Sequence, residues 1–203
     1  MKKNLFSKVK KGLLINNFKK IQFTKYNKNL RFYSTGGQSV LILAEHNNNE
    51  LISGTLNTVT AATKISSNVS LLVAGNNADK VVENAKKLKG VSNVLYVNDS
   101  VHQTATAENL SKLIVEIQKS KNFTHIISPA SSFGKSVLPR VAGLLDVGSV
   151  TDVIQIDSED TFRRPIYAGN AIMTLKSLDS VKVKTKNVSF LFGYVRSKKK
   201  KKM

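Results

Sequence analysis

Hydrophobic positions in the middle of the chain alternate between short continuous runs and longer segments with helical spacing. The runs are typical of strands covered on both faces, and they lie at residues 39–44, 69–74, 94–97 and 124–128. The segments between them place apolar side chains three or four positions apart, which predicts helices at 55–66, 79–89, 107–120 and 135–145. This alternation predicts an α/β fold, a three-layer α/β/α domain with a mainly parallel sheet.

The pattern changes after residue 149. Strand-like segments now follow one another with short polar turns between them, at Val150–Ile156, Thr161–Tyr167, Ala171–Leu175 and Val181–Lys184. Successive strands without intervening helices are typical of antiparallel pairing. We therefore expect the domain to finish in antiparallel hairpins added to the sheet.

Composition excludes several classes of protein. The chain has 203 residues, no cysteine and a formal charge of +19. Without cysteine there is no disulfide framework, thiolate metal site or iron–sulfur cluster, and no apolar run reaches the roughly 18 residues needed to span a bilayer. The excess bases lie in residues 1–35 and 196–203, which contain no acid. The folded body is thus nearly neutral, so we expect it to bind no nucleic acid.

The first 35 residues have the properties of a mitochondrial targeting segment. Lysines alternate with apolar side chains at roughly helical spacing, at Leu5, Val9, Leu13, Phe18 and Ile21. The run Arg31-Phe32-Tyr33-Ser34 resembles a matrix-protease site, with cleavage near Tyr33. The alternative is a basic arm that binds nucleic acid or anionic lipid.

The most informative candidate for chemistry lies where the strand at 124–128 gives way to the next helix. Ser131, Ser132, Gly134 and Lys135 could cradle an anion through backbone amides at a helix N-terminus, as a vestigial nucleotide pocket. A Walker-type loop is excluded, because Pro129 occupies the position of its first glycine. The alternative is that these residues only form a turn and cap the helix.

The remaining candidates predict no catalytic or metal site. The three histidines, His46, His102 and His125, are far apart in sequence and lack partners at helical spacing. We expect them to be surface or strand-end residues rather than ligands. Asp146 and Asp152 flank the same loop, and we expect a structural role for both.

Several blocks of the chain, in the same order, resemble the electron transfer flavoprotein alpha subunit. They include Ile166-Tyr167-Ala168-Gly169-Asn170-Ala171 and the segments at residues 41–46, 56–62, 73–75, 124–126, 131–140 and 149–152. The resemblance covers about residues 38–185. Several blocks in one order are much more specific than any one of them alone.

The resemblance implies a subunit of an electron carrier rather than a catalyst. In this family alpha pairs with a beta subunit and the complex holds one FAD in the mitochondrial matrix. It carries electrons from acyl-CoA and related dehydrogenases of fatty-acid beta-oxidation to a membrane ubiquinone oxidoreductase. The N-terminal domain of alpha has an adenine-nucleotide-hydrolase-like fold. It serves as scaffold and subunit interface, and only its counterpart in beta binds AMP.

The chain departs from the family pattern towards its end. We expect residues 36–185 to form the N-terminal domain, the FAD domain to be absent, and residues 186–203 to form an aberrant basic tail. No residue can then be assigned to FAD, and we expect this chain alone to bind none. Arg140 is the candidate contact with beta; its alternative is a salt bridge within the domain to Asp146 or Asp152. The alternative function is a nucleotide-binding module that uses the loop at 128–140.

The targeting hypothesis predicts the behaviour of a reporter. Residues 1–40 fused to a fluorescent protein should enter mitochondria and be cleaved close to Tyr33, because a basic amphipathic helix is drawn to the negatively charged compartment. Microscopy and N-terminal sequencing measure both results. The same reporter fused to residues 38–187 serves as the control, and a cytosolic or nuclear 1–40 fusion would contradict the hypothesis.

Overall fold

The computed structural model describes residues 38–102 and 106–187, together with the backbone of residues 22–24. Apart from those three residues, the predicted targeting segment lies outside the described part of the chain, as do residues 188–203 of the predicted tail. None of the helices in the described ranges is long and apolar enough to cross a membrane.

Ten strands and four α-helices make up the described structure. The strands are β1 (Gln22–Thr24), β2 (Ser39–Leu43), β3 (Asn68–Gly75), β4 (Asn93–Asn98), β5 (His125–Pro129), β6 (Ser149–Val153), β7 (Gln155–Ile156), β8 (Thr161–Ile166), β9 (Ala171–Lys176) and β10 (Lys182–Lys186). The helices are α1 (Ser53–Ala62), α2 (Asp79–Lys86), α3 (Ala107–Lys121) and α4 (Ser132–Leu145). Two 3₁₀ turns lie at Ser100–His102 and Tyr167–Gly169.

Seven strands form the main sheet in the order β1-β4-β3-β2-β5-β10-β6. The last six are parallel to their neighbours, and β1 pairs with β4 in the antiparallel sense. The chain adds β3 and β4 on one side of β2 and then crosses to β5 on the other. The predicted α/β/α class with a mainly parallel sheet is confirmed.

Each face of the main sheet carries its own hydrophobic core. Alternate side chains of the strands point to opposite faces, so Ile42 packs with α1 and α2 while Leu41 and Leu43 pack with α3 and α4. Both sets are fully or almost fully buried. The central strands are therefore apolar on both faces, which is the continuous pattern seen in the sequence.

The end of the domain differs from the prediction in two ways. The predicted hairpins do form, but β7, β8 and β9 make a separate antiparallel sheet, called here the small sheet. Val181–Lys184 and the first part of Val150–Ile156 do not belong to a hairpin, because β10 enters the main sheet parallel to both β5 and β6. A short strand carries no local signal for the direction of its partner, so its sequence could not distinguish these arrangements.

The β10 strand buries a lysine between the two sheets. Val183 packs into the core formed with α3 and α4, which turns Lys184 to the opposite face. Lys184 is 1% exposed, its Nζ lies 3.7 Å from the centroid of the Phe162 ring of β8, and it has no hydrogen-bond partner among the described residues. Burial lowers the pKa of Lys184 to about 6, and the charges of Lys182 and Lys186 add to the effect.

The substitution Lys184→Met should stabilise the protein. The amine of Lys184 is desolvated without a hydrogen bond, which costs about 1–3 kcal/mol for the neutral amine and more for its protonated form. The penalty is complete below the folded pKa of about 6 and decreases as pH rises towards the unfolded value of 10.5, because the unfolded chain then no longer holds the extra proton. The gain in free energy of unfolding should accordingly be largest at pH 6 and smaller at pH 9.

Urea unfolding of the full chain at both pH values measures the gain. Lys182→Met on the same strand is the matched control, since Lys182 is only half-buried, and it should change stability much less. A gain from Lys184→Met that is the same at both pH values would contradict the assignment of the penalty to a buried amine.

Candidate functional site at the carboxyl edge of the main sheet

The predicted anion loop joins β5 to α4 and is occupied by its own contacts. Ser131 is the N-cap of α4, and its Oγ accepts a hydrogen bond of 3.2 Å from the backbone N–H of Gly134. Ser132 is exposed on the first turn. Capping of this kind satisfies one of the free amides that an anion would otherwise use.

The other two predicted residues of this loop are also committed to the fold. A Cβ on Gly134 would lie 2.0 Å from the carbonyl oxygen of Pro129 and 2.3 Å from Oγ of Ser128, so glycine is required by the close approach of helix and strand. Lys135 forms a 2.7 Å ion pair with Asp152 of β6. Ser131, Gly134 and Lys135 are thus each held by contacts within the fold, and Ser132 lies exposed beside them.

A separate cleft opens at the same edge of the sheet, beside β2 and β3. It has a volume of about 280 Å³ and combines residues from the β2–α1 loop, the end of β3, the 3₁₀ turn after β4, α3 and the start of α4. Its walls are Leu43, Ala44, Glu45, His46, Asn47, Asn48, Ile52, Ala74, His102, Leu110 and Phe133. In open parallel sheets the carboxyl edge, next to the point where strand order reverses, is the usual ligand crevice.

The two histidines of the cleft have different environments. His46 is held by a 3.1 Å hydrogen bond between Nε2 and the carbonyl of Ala74, and its Nδ1 accepts from the backbone N–H of Asn48 at 3.2 Å. His102 is 2% exposed, and neither ring nitrogen has a hydrogen-bond partner among the described residues. Burial lowers the pKa of His102, although the nearby carboxylate of Asp99 opposes the shift.

His102 corrects the expectation of a surface or strand-end position, whereas His125 does lie at a strand end. His102 is buried in a 3₁₀ turn rather than exposed, and His125 at the start of β5 is completely buried. Nε2 of His125 lies 2.7 Å from the carbonyl oxygen of Glu159, in the turn between β7 and β8 of the small sheet. Burial, with the charge of Lys184 second, lowers the pKa of His125 to about 4, so the ring is neutral and donates this bond at pH 7. His125 therefore fastens the small sheet to the main sheet.

The small sheet ends in an exposed and strained turn. Tyr167, Ala168 and Gly169 all have positive φ, and the first two pay a steric cost for it because they carry a Cβ. Tyr167 is 79% exposed. Arg164 lies in the open cleft beside this turn and forms no ion pair within the described residues, and its Nε is buried without a hydrogen bond.

Arg140 pairs with a residue that the sequence did not indicate. Its Nη1 lies 3.4 Å from Oε1 of Glu108 on α3, and both side chains are about half-exposed. The predicted alternative, a salt bridge to Asp146 or Asp152, is wrong. Asp146 ends α4 in the left-handed conformation, and Asp152 is taken by Lys135. Residues on different helices come into contact when the helices pack, so closeness in sequence could not predict the partner of Arg140.

The fold and the crevice define a class, a doubly wound α/β domain with a ligand-type cleft at its carboxyl edge. Residues 40–187 match the family model described as "Electron transfer flavoprotein domain". This match spans nearly all of the described structure, including the small sheet and β10. The chain therefore belongs to the electron transfer flavoprotein family.

Curated relatives identify the branch of that family. The chain is 45% identical over 163 residues to the mitochondrial electron transfer flavoprotein subunit alpha of Dictyostelium discoideum, covering 77% of this chain and 45% of the relative. It is 47% identical over 147 residues to the subunit alpha of Pseudomonas aeruginosa, covering 72% and 47% respectively. The chain belongs with the alpha subunits, and it spans about half the length of the curated relatives it matches.

Gly134 and Gly143, both on α4, test whether this helix packs closely against the end of β5. Gly134→Ala should lower the free energy of unfolding by about 1–3 kcal/mol or more, because its Cβ would overlap backbone atoms of Pro129. Gly143→Ala meets no atom within 4 Å and should raise stability by about 0.5–1 kcal/mol. Thermal and urea unfolding compare the variants with the original chain, and equal stability of the two alanine variants would show that helix and strand are not in contact at Gly134.

Proposed function

We propose that this chain serves as the scaffold and subunit-interface domain of an electron transfer flavoprotein alpha subunit. The observation that carries the proposal is the family match across residues 40–187, which coincides with one continuous fold built around two cores. The complete carrier in this proposal passes electrons from acyl-CoA and related dehydrogenases to a ubiquinone oxidoreductase. The chain is a carrier subunit and not a catalyst in its own right.

The proposed partner is an electron transfer flavoprotein beta subunit. The small sheet is the candidate docking surface, because it presents large apolar side chains that the domain leaves uncovered: Tyr167 at 79% exposed, Ile172 at 61% and Met173 at 38%. Exposed aromatic and apolar residues grouped at one end of an element are typical of protein interfaces. Arg164, which forms no ion pair with any other described residue, adds a cation for a carboxylate of the partner.

The exposed face of α4 is the second candidate surface. Arg140 and Leu144 lie one helical turn apart on it, and both are about half-exposed. Arg140 can exchange Glu108 for a carboxylate of the partner, since a half-exposed ion pair of this kind contributes little to stability. Substitutions on the small sheet and on α4 should therefore differ in their effect on binding of the beta subunit.

FAD belongs to the complex in this proposal and is not held by the described domain. Three of the four residues that could have formed a phosphate cradle are engaged, Ser131 in a helix cap, Gly134 in a tight packing contact and Lys135 in an ion pair. A nucleotide-binding module that uses this loop is accordingly not favoured. The proposed location is the mitochondrial matrix, and it is supported by the relatives from Dictyostelium discoideum and Arabidopsis thaliana, whose names describe them as mitochondrial.

Calorimetry with a purified beta subunit tests the proposal. We expect the chain to bind with a dissociation constant on the order of micromolar or weaker, because the exposed apolar side chains of the small sheet form a small contact surface. Tyr167→Ser should weaken binding at least about ten-fold, since exposed aromatic anchors dominate interface energies. Arg140→Ala and Leu144→Ser should each change binding by less than about three-fold.

Circular dichroism of every variant separates lost binding from lost folding. If only the α4 variants lose binding to the beta subunit, the docking surface lies on α4 and not on the small sheet. If the folded original chain shows no heat of binding to the beta subunit, the scaffold role is wrong.

A further inference from the structure

The outer edge of β9 is a free strand edge of the small sheet. Within the described part of the chain β9 pairs with β8 alone, and β8 is the central strand of the three. Bulges, prolines and unpaired charges are the usual features that keep an edge strand from pairing with another chain. The pairing of β9 with β8 has no bulge and β9 has no proline, while its one charged side chain, Lys176, is paired with Asp160. The edge is therefore open to another strand.

The backbone groups that point outwards from this edge follow from the hydrogen bonds of β8. The carbonyl oxygen of Arg163 accepts a 2.9 Å bond from the N–H of Ile154, on the β7 side. Because the direction of these groups alternates along a strand, Arg163 makes no such bond to Thr174, which lies opposite it on β9. Thr174, and with it Ile172 and Lys176, therefore directs its N–H and C=O away from β8.

Both faces of β9 are exposed beside this edge. Ile172 is 61% exposed and Met173 is 38% exposed. Consecutive residues of a strand point to opposite faces, so these two side chains lie on different sides of the small sheet. A strand added at the edge would cover apolar surface on both sides while it bonds to the outward backbone groups.

The sequence of β9 is complementary to a second copy of itself. In an antiparallel pair centred on Thr174, this residue faces its own copy and Ile172 faces Lys176 of the other chain. All the outward backbone groups then fall into register and make about six N–H···O=C bonds. Met173 faces Leu175 of the second copy, which pairs apolar side chains. The two Lys176 residues lie about 14 Å apart along the strands, so like charges do not meet.

We propose that β9 pairs with β9 of a second copy of this chain, in the antiparallel register centred on Thr174. The two small sheets then form one six-stranded sheet across a two-fold axis. This dimer does not rest on the proposed subunit role, because it forms from the chain alone. Self-pairing and binding of a beta subunit are separate measurements, so either proposal can fail by itself.

Sedimentation velocity of the full chain tests the dimer. We expect a dissociation constant on the order of 100 μM, because one strand pair buries much less than about 1,200 Å². The formal charge of +19 opposes association, so higher salt should strengthen the dimer.

Two substitutions at Thr174 test the edge itself. Thr174→Pro removes one outward N–H and leaves the bonds to β8 in place, so it should weaken the dimer at least about ten-fold. Thr174→Val keeps the N–H and the branched side chain, and as the matched control it should leave the dimer unchanged. Circular dichroism checks that both variants fold.

Introduced cysteines test the register, because the chain has no cysteine of its own. The Cα atoms of a hydrogen-bonded antiparallel pair are about 5.5 Å apart, which a disulfide can span. Thr174→Cys should therefore cross-link to its own copy under mild oxidation, whereas Lys176→Cys alone should react at least about five-fold more slowly, because its copies are too far apart. A mixture of Ile172→Cys and Lys176→Cys should give the mixed disulfide. Non-reducing electrophoresis and mass spectrometry measure the products.

Four outcomes would overturn the proposal. The first is a monomer at about 0.5 mM, several times the expected constant. The second is a dimer that folded Thr174→Pro does not weaken. The third is equal cross-linking of Thr174→Cys and Lys176→Cys, which would contradict the register. The fourth is a monomeric chain in which Thr174→Pro weakens binding of the beta subunit, since the edge would then belong to the subunit interface. If Thr174→Pro fails to fold, the cysteine variants decide the question.

Discussion

The position of β10 between β5 and β6 is the contact on which the rest of the structure depends. The chain leaves the main sheet after β6, forms the small sheet, and returns as β10 to hydrogen-bond with both neighbours. Val183 thereby completes the core with α3 and α4, while Lys184 lies beneath Phe162 on the other face. Without β10, β6 would lose its neighbouring strand in the main sheet. The small sheet would lose the surface on which Phe162 packs.

This arrangement attaches the small sheet to the main sheet, although its far end is exposed. The contacts that fasten it to the main sheet include Lys184 against the Phe162 ring, the His125 bond to Glu159, and a bond from Nζ of Lys186 to the carbonyl of Ile154. The apolar side chains at its far end remain uncovered. A rigid support beneath an exposed apolar surface lowers the entropy lost on binding, which suits a subunit interface.

Most of the fold could be predicted from the sequence, whereas the sites could not. The buried strands appear as short apolar runs because both of their faces are covered, and Gly134 and Ser131 follow local rules of helix starts. The place of β10, the burial of His102 and His125, and the pairing of Arg140 with Glu108 result from contacts between distant segments. The strained turn was not predicted, because the strand expected at Thr161–Tyr167 included Tyr167, whose φ is positive in the structure.

Hydrogen–deuterium exchange of the full chain, alone and with a saturating beta subunit, tests the central claim most directly. The claim is that residues 38–187 form a rigid scaffold whose small sheet meets the partner. Peptides from residues 161–178 should gain protection in the complex, while those from the cleft at 43–52 and from the loop at 128–136 should not change. Protection at 128–136 with none at 161–178 would contradict it.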